Sequence, residues 1–473
     1  MDLTIPHLLS ARAESEPDRL AMIVHGRSEL TFGDWSAGAE TVARGLNARG
    51  VKPGDRVGLS FQAAEWTDYA VAFCGVLRAG AVAVPLNDRL TATDLRTLLA
   101  DCAAVGLLHG ADQPGDLPCW SARLGEGPNG DLPGLPRPRD PAQILYTSGT
   151  TGRPKGVVAT HANLAYGLGG RRRPFAHSKH LAHAFPIGTN AGQTMLVNAL
   201  DANPAVVTLP HFTPGRFAAL IEHYGAGTVF LVPAMAIELL NAGVRDLSSV
   251  LLLGSAAAPL PASVAQRLTQ AFPKATITNY YTSTEAAPAQ TIMMFDPERP
   301  GSVGRAVAGG GVRIATADGS PVTPGEVGEV WMRSPAAPRA YYGDPGSEVF
   351  KDGWVRMGDL GRIDEDGYLY LVDRQSDLIK SGAFKVSTIR IEEAVYEHET
   401  VVEAAALGVP HPVLGKAIAV AVVTRAPLTA EDLRIFLKDR LAPHEVPTHV
   451  ITLDALPRNR GGKVDKRLLL ERF

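Results

Sequence analysis

The sequence predicts an α/β protein: a large N-terminal domain of layered α/β sheets carrying a β subdomain, then a small α+β C-terminal domain. Three observations carry this. Helix-like and strand-like segments alternate up to about residue 105 and resume past residue 200, the pattern of parallel sheets covered by helices. From Gly328 to Tyr370 the pattern changes to short strands and tight turns, such as Asp364-Glu-Asp-Gly367. A chain of 473 residues also exceeds one ordinary core, so two or more domains are expected.

In order along the chain, Glu29–Phe32 reads as a strand, followed by a helix from Gly33 to about Arg49. Asp55–Ser60 and Ala81–Val84 read as strands. The most apolar stretch, Tyr69 to Leu86, is broken by Arg78, Gly80 and Pro85; it reads as a buried helix running into a strand, not a membrane span. Residues 110–141 are rich in Gly and Pro and are expected to form an irregular connection. Gln143–Tyr146, Ala205–Leu209, Gly227–Val232 and Val250–Leu253 read as further strands. Residues after Asp373 have the size of a small domain. Their expected elements are helices over Ile389–His398 and Thr429–Leu441 and strands at Val402–Leu407 and Ala417–Val423.

Apolar content of 45% and charged content of 20% fit a soluble globular protein, and a net charge of −3 argues against a nucleic-acid partner. Cys74, Cys102 and Cys119 are an odd set without metal-like spacing, which points to a reducing cytoplasm and no disulfide framework. Asp2, Glu14, Glu16 and Asp18 near the start, with no long apolar run, do not read as a signal peptide. No membrane partner is expected.

One run concentrates chemistry: Tyr146-Thr-Ser-Gly-Thr-Thr-Gly-Arg-Pro-Lys155-Gly-Val157. Glycines let backbone N–H groups approach an anion closely, while hydroxyls and a lysine add donors and charge. The run follows an apolar strand, as a phosphate-gripping loop on an α/β sheet should. It is not the common kinase-type loop, which needs Gly-Lys followed by Ser or Thr, because here Lys155 precedes Gly156.

This wording resembles the signature of the adenylate-forming superfamily: acyl-CoA synthetases, peptide-synthetase adenylation domains and luciferases. The resemblance covers essentially the whole chain, and it implies an ATP/AMP site at Thr147, Ser148, Gly149, Thr150, Thr151, Gly152 and Lys155. Leu253–Pro259 resembles the loop against the adenine ring, with Ala258 and Pro259 at the nucleotide and Ser255 at the acid pocket; Ala256 and Ala257 stand where the family has glycines. Asn279-Tyr-Tyr-Thr-Ser-Thr-Glu285 resembles the aromatic-Gly-x-Thr-Glu motif. There Asn279 suits the adenine edge and Tyr281 the adenine face, with Tyr280 beside them. Thr284 falls near the α-phosphate, and Glu285 suits Mg²⁺, a hard cation that takes oxygen ligands. Thr282 replaces a glycine that walls the acid pocket, and is expected to narrow the pocket or bond the substrate.

Gly358–Tyr368 matches the family almost word for word; Asp359 suits the ribose hydroxyls and Arg374 the ribose or a phosphate oxygen. Leu378–Ser387 resembles the loop that enters the site for thiol attack, with Gly382 and Ala383 at the thiol tunnel. Leu456–Asp465 carries the lysine of the first half-reaction, Lys463, after two glycines that permit a sharp turn. The acid-pocket motif departs from the family: Pro186-Ile-Gly-Thr-Asn-Ala-Gly192 has Gly188 for an aromatic and Thr189 for a histidine. With Asn190, Gln193 and Thr194 nearby, the pocket is expected to be polar. Arg171-Arg-Arg173 is either a contact for the 3′-phosphate of CoA or a solvated surface cluster.

The resemblance implies catalysis by Lys463, Glu285 and Thr284, with ATP and Mg²⁺ as cofactors and CoA as co-substrate. A small acid would become an acyl-AMP with release of pyrophosphate, then pass to CoA or a carrier thiol. It implies a hinge at Asp373 to Ser376, hence domains 1–373 and 374–473, the second mobile. Ser376 stands where many relatives have Asp or Lys. Two alternatives remain: activation of a small oxyanion such as nitrite with transfer to an aryl amine, and a nucleotide-binding relative without activity.

Overall fold

The computed structural model describes residues 3–473 except 113–114, 126–129, 148–153, 244–246, 308, 317, 345, 347 and 460–462. The first 306 residues, with the short strand Ala340–Tyr341, build two sheets packed through a shared core. One is nine-stranded, and its parallel centre runs Thr276–Tyr281, Leu252–Ala256, Thr228–Leu231, His180–His183, Ala205–Thr208 and Leu20–Val24. The other is seven-stranded, with Arg56–Ser60 between Val82–Leu86 and Gly106–His109 in parallel register. Helices Phe32–Ala48 and Trp66–Arg78 cover them, burying Phe32, Trp35, Trp66, Tyr69 and Phe73 in one cluster. Helix starts follow Ser/Thr chemistry: Thr31, Thr91, Thr160, Thr189, Ser387 and Thr429 each accept a backbone N–H of the first turn.

Four expectations shift. The Gly/Pro-rich connection contains a strand, Trp120–Arg123, parallel to Gly106–His109; Gly106 makes room for the Trp120 ring, which a Cβ would meet at 2.1 Å. The strand read as Val250–Leu253 is Leu252–Ala256, continuing through Gly254 because the Phe230 and Tyr280 rings lie in the space its side chain would fill. The strand read as Glu29–Phe32 ends at Thr31, and Phe32 already opens the helix Phe32–Ala48. The β subdomain starts earlier, at Gly311–Ala315, and gives Ala340–Tyr341 to the seven-stranded sheet.

Past the β subdomain, Ile379–Ser381, Phe384–Val386, Val401–His411, Gly415–Thr424 and His449–Thr452 form a five-stranded sheet. Helix Thr388–Tyr396 and helix Ala430–Lys438 pack on it. Its two apolar clusters draw only on residues from Ile379 onward.

Candidate active site

The sheets deliver the functional side chains at strand ends. Thr147 and Lys155 face each other where the hairpin strands Pro141–Thr147 and Lys155–Thr160 open toward the phosphate loop. Ser148, Gly149, Thr150, Thr151 and Gly152 lie outside the described residues. The Thr147 hydroxyl donates to Glu285 Oε1 at 3.3 Å, and the Tyr341 hydroxyl donates to the same oxygen at 3.2 Å. Lys155 Nζ stands 4.6 Å from the centre of the Tyr341 ring. Hence Thr147, Lys155 and Glu285 are brought together as expected, and Tyr341 joins them unannounced by the motifs.

A second group forms where Trp354–Ile363 pairs with Leu369–Arg374, placing Asp359 opposite Arg374. Tyr281, at the end of its strand, donates to Asp359 Oδ2 at 2.6 Å, and Arg374 Nε is 3.3 Å from Oδ1. Burial pushes the Asp359 carboxyl up from the usual range, while Arg374, the Tyr281 hydroxyl and Lys463 pull it back. Burial, then Asp359, raises the Tyr281 phenol, so it stays a donor.

Lys463 closes the site from the C-terminal side. Its N–H donates to Asn459 Oδ1 at 3.1 Å and its carbonyl accepts from Asn459 N–H at 2.7 Å. The two glycines before it lie outside the described residues. Part of the side chain is solvent-exposed, yet surrounding protein desolvates the ammonium and lowers it from the ordinary lysine range. Arg374 lowers it further, while Asp359 and Glu285 act in the opposite direction. Lys463 therefore shares one electrostatic environment with both groups above.

The nucleobase and acid sides differ from expectation in detail. Ser255 and Asn279 are in register on adjacent parallel strands, both buried, with Ser255 Oγ and Asn279 Oδ1 unpartnered among the described residues. That register sets Ser255 beside Asn279. Ala258 and Pro259 are exposed, and Ala257 takes the left-handed conformation (φ 72°) that its glycine counterpart would adopt freely. Tyr280 packs against Phe230 with ring centres 5.5 Å apart.

At the acid side, several of the polar side chains are engaged with the protein itself. Gly188 is not an opening: a Cβ there would meet Asn87 N at 2.6 Å, so main chain occupies the space. Thr189 caps the helix Asn190–Asp201 and donates to Pro186 O at 2.8 Å. Gln193 is buried, donating to Ile187 O and accepting from Tyr69 Oη and Gln143 Nε2. Thr194 is exposed and donates to Asn190 O at 3.0 Å. Thr282 donates to Ala289 O at 2.6 Å. Asn190 is partly buried at the start of that helix. Arg171 and Arg172 are exposed, and Arg173 lies 3.7 Å from Glu16. Gly382 and Ala383 sit exposed at the turn of the hairpin Ile379–Val386, with Gly382 at φ 57°.

The residues fit a hard cation held largely by substrate phosphates. Glu285 Oε1 takes both hydroxyl donors, and Oε2 has no protein partner among the described residues. Among those residues, no cluster of three or more His, Cys, Asp or Glu could hold a metal alone, which suits Mg²⁺ bound through one carboxylate and phosphate oxygens.

The model of the AMP-binding enzyme family matches residues 9–342, and that of the AMP-binding enzyme C-terminal domain matches residues 390–463. The chain belongs to the AMP-binding enzyme family. Among the relatives of this AMP-binding enzyme, a feruloyl-CoA synthase from an Amycolatopsis species is 35% identical, across 98% of this chain and 97% of that one. An oxalate–CoA ligase of Arabidopsis thaliana is 31% identical, across 99% and 98%. The o-succinylbenzoate CoA synthetase of Bacillus subtilis, solved with its acyl-adenylate intermediate OSB-AMP, superimposes with a TM-score of 0.86 at 26% identity, covering 99% and 98%. ATP-bound MatB from Rhodopseudomonas palustris gives 0.84 at 28% identity, covering 99% of each chain. Like them, this AMP-binding enzyme is an ATP-dependent ligase of the adenylate-forming kind. Among its described residues, no helix is long and apolar enough to cross a membrane.

Proposed function

We propose that this enzyme activates a small carboxylic acid as its acyl-adenylate and transfers the acyl group to CoA. The observation that carries the reading is geometric: Tyr281 and Arg374 meet on Asp359, and Thr147 and Tyr341 meet on Glu285, with the charge of Lys463 felt by both carboxylates. In the first step a carboxylate oxygen bonds to the α-phosphorus of ATP. The bond to the bridging α–β oxygen breaks, and pyrophosphate leaves with that electron pair. Two anions must meet, so the protein's contribution is fixed positive charge and donors in place before the reaction. Lys463 would bridge the acid oxygen and the α-phosphate, and Lys155 would hold the outer phosphates. Asp359, kept by Tyr281 and Arg374, would accept from the ribose hydroxyls, and Asn279 and Tyr281 would fix the base. Glu285 and Thr147 would hold Mg²⁺, which when bound neutralises phosphate charge.

In the second step the CoA sulfur bonds to the acyl carbon, and AMP leaves with the electron pair of the acyl–phosphate bond. The segment beyond Asp373 would turn about Ser376, withdrawing Lys463 and bringing Gly382 and Ala383 to the site. A cytoplasmic setting, where ATP and CoA are available, agrees with free Cys74, Cys102 and Cys119. The nitrite alternative draws on Thr282, Gly188, Thr189 and Ala383, which together suggest a small polar pocket and weaker provision for a thiol; of these, Thr189 and Thr282 donate to protein carbonyls.

Pyrophosphate release from Mg·ATP tests the reading, with short, branched, dicarboxylic and aromatic acids, each with CoA, with a carrier-protein thiol or with neither, and products identified by mass spectrometry. An acid that drives release and yields a CoA thioester is the expected result. Release without any thioester would overturn the second step, and no release with any acid would overturn the first.

A further inference from the structure

Ala340 and Tyr341 form a two-residue strand that the β subdomain contributes to another sheet, and Arg339 immediately precedes it. That strand pairs with Lys155–Thr160 through Ala340↔Val158 and Tyr341↔Val157, and Tyr342 N–H donates to Gly156 O at 2.8 Å. It thereby runs alongside the strand that begins at Lys155. From it, Tyr341 reaches two groups at once: its hydroxyl donates to Glu285 Oε1 at 3.2 Å, and its ring lies 4.6 Å from Lys155 Nζ. The ring is set against Phe350, centres 5.1 Å apart and edge-on.

Arg339 supports the same carboxylate from behind. It is only 8% exposed, and no carboxylate among the described residues lies within ion-pair distance. Burying a cation without a paired anion is costly, so its hydrogen bonds and the nearest field must compensate. Nη1 donates to Thr284 O at 3.0 Å and Nε to Asn163 Oδ1 at 2.8 Å. The Asn163 amide donates in turn to Ala287 O at 3.2 Å and Ala337 O at 3.1 Å. The turn bearing Thr284 and Glu285 is thus held at both ends. Desolvation lowers the guanidinium to about 10, and Glu285 is the charge that opposes this.

We propose that Tyr341 and Arg339 are positioning residues that aim Glu285 Oε2 and Lys155 Nζ at the metal–polyphosphate part of the nucleotide. The inference rests on the adenylate-forming reading above. It explains the division of labour at Glu285: with Oε1 saturated by Thr147 and Tyr341, Oε2 is left for a cation. It also accounts for a buried guanidinium that has no ion-paired carboxylate among the described residues and is bonded to the turn bearing Glu285.

The test compares the parent enzyme with Tyr341→Phe, Tyr341→Leu, Arg339→Met and Arg339→Lys. The readouts are Mn²⁺ binding by electron paramagnetic resonance with α,β-methylene-ATP present, analogue binding by calorimetry, and the KM for the acid. Tyr341→Phe keeps the ring and the fold, so it isolates the hydroxyl. It should weaken Mn²⁺ binding about tenfold, the effect of one hydrogen bond to a charged group, and leave the acid KM unchanged. Tyr341→Leu should also weaken analogue binding, because Lys155 loses its ring. Arg339→Met should weaken Mn²⁺ binding, and Arg339→Lys should recover part of the loss. Mn²⁺ binding within twofold of the parent in Tyr341→Phe would overturn the proposal, as would equal analogue binding by the Phe and Leu variants. A parent enzyme that binds neither Mn²⁺ nor the analogue would instead remove the adenylate-forming reading itself.

Discussion

Tyr281→Phe removes one hydroxyl and nothing else, and the structure fixes what it should cost. The lost bond is 2.6 Å long and ends on Asp359, a carboxylate only 7% exposed. A hydrogen bond to a charged group contributes about 1.5–3 kcal/mol. Arg374 cannot take its place: its side chain is 53% exposed and its Nε stands 3.3 Å away, so water screens the pair. A double-mutant cycle with Asp359→Asn should therefore give a coupling energy of about 1.5–3 kcal/mol near neutral pH. The pH dependence has a definite sign. Burial raises Asp359, and the Tyr281 hydroxyl is one of the groups that lower it again. Its stabilisation belongs to the ionised carboxylate, so it is present at neutral pH and lost as pH falls through the Asp359 pKa. Urea unfolding of the four proteins near neutrality and in acid measures both. Single-mutant effects that add within about 0.5 kcal/mol, or a coupling unchanged in acid, would refute the reasoning.

Lys463→Ala should cut pyrophosphate release about 100-fold or more while ATP binding stays largely intact; near-parent release would remove Lys463 from the first step. Because desolvation and Arg374 lower the Lys463 ammonium, the alkaline limb of kcat/KM should fall below the ordinary lysine range. Arg374→Ala should move that limb to higher pH, and an unmoved limb would mean another group titrates. Ala257→Gly should raise stability by up to about 1 kcal/mol by relieving a left-handed alanine, and a lower melting temperature would contradict that backbone. Thr282→Gly frees Ala289 O and should admit bulkier acids in the pyrophosphate assay; an unchanged substrate range would mean Thr282 does not line the pocket.

What the sequence disclosed, and what it hid, follows from how far each property is local. Strands such as Arg56–Ser60 and Thr228–Leu231 were legible because alternation and punctuation are written within a few residues. The strand at Leu252–Ala256 was displaced because Gly254 reads as a turn, and only the Phe230 and Tyr280 rings, from neighbouring strands, explain a glycine inside it. Trp120–Arg123 was hidden by surrounding Gly and Pro. Motif wording pointed to Thr147, Lys155 and Glu285, and to Asp359 and Arg374, and each of these groups does lie together. Their supports were not readable: Asn163 and Arg339 lie 176 residues apart. Polarity was the least legible property. Gln193 and Thr282 are polar letters in a pocket motif, yet their donors serve protein carbonyls, and residue type does not reveal which partner a donor has chosen.

The anchoring of Lys463 bears on how one pocket could serve two reactions. Behind the lysine, Arg458 is ion-paired with Glu403, and Lys466 lies 3.2 Å from Asp377 and 3.6 Å from Glu392. These partners, like Asn459, come after the proposed hinge at Ser376. Toward Asp359 and Glu285, before that hinge, the ammonium acts through charge, with no hydrogen bond among the described residues. Charge–charge attraction across a partly hydrated gap is long-ranged but shallow, whereas ion pairs and hydrogen bonds on the near side fix geometry. If the segment beyond Ser376 turns as proposed, a lysine held this way would be accurately placed before the turn and would leave with that segment without breaking its own supports. Once pyrophosphate has gone, part of the negative charge that holds Lys463 in place has left as well. The departing product therefore weakens the attraction that opposes rotation.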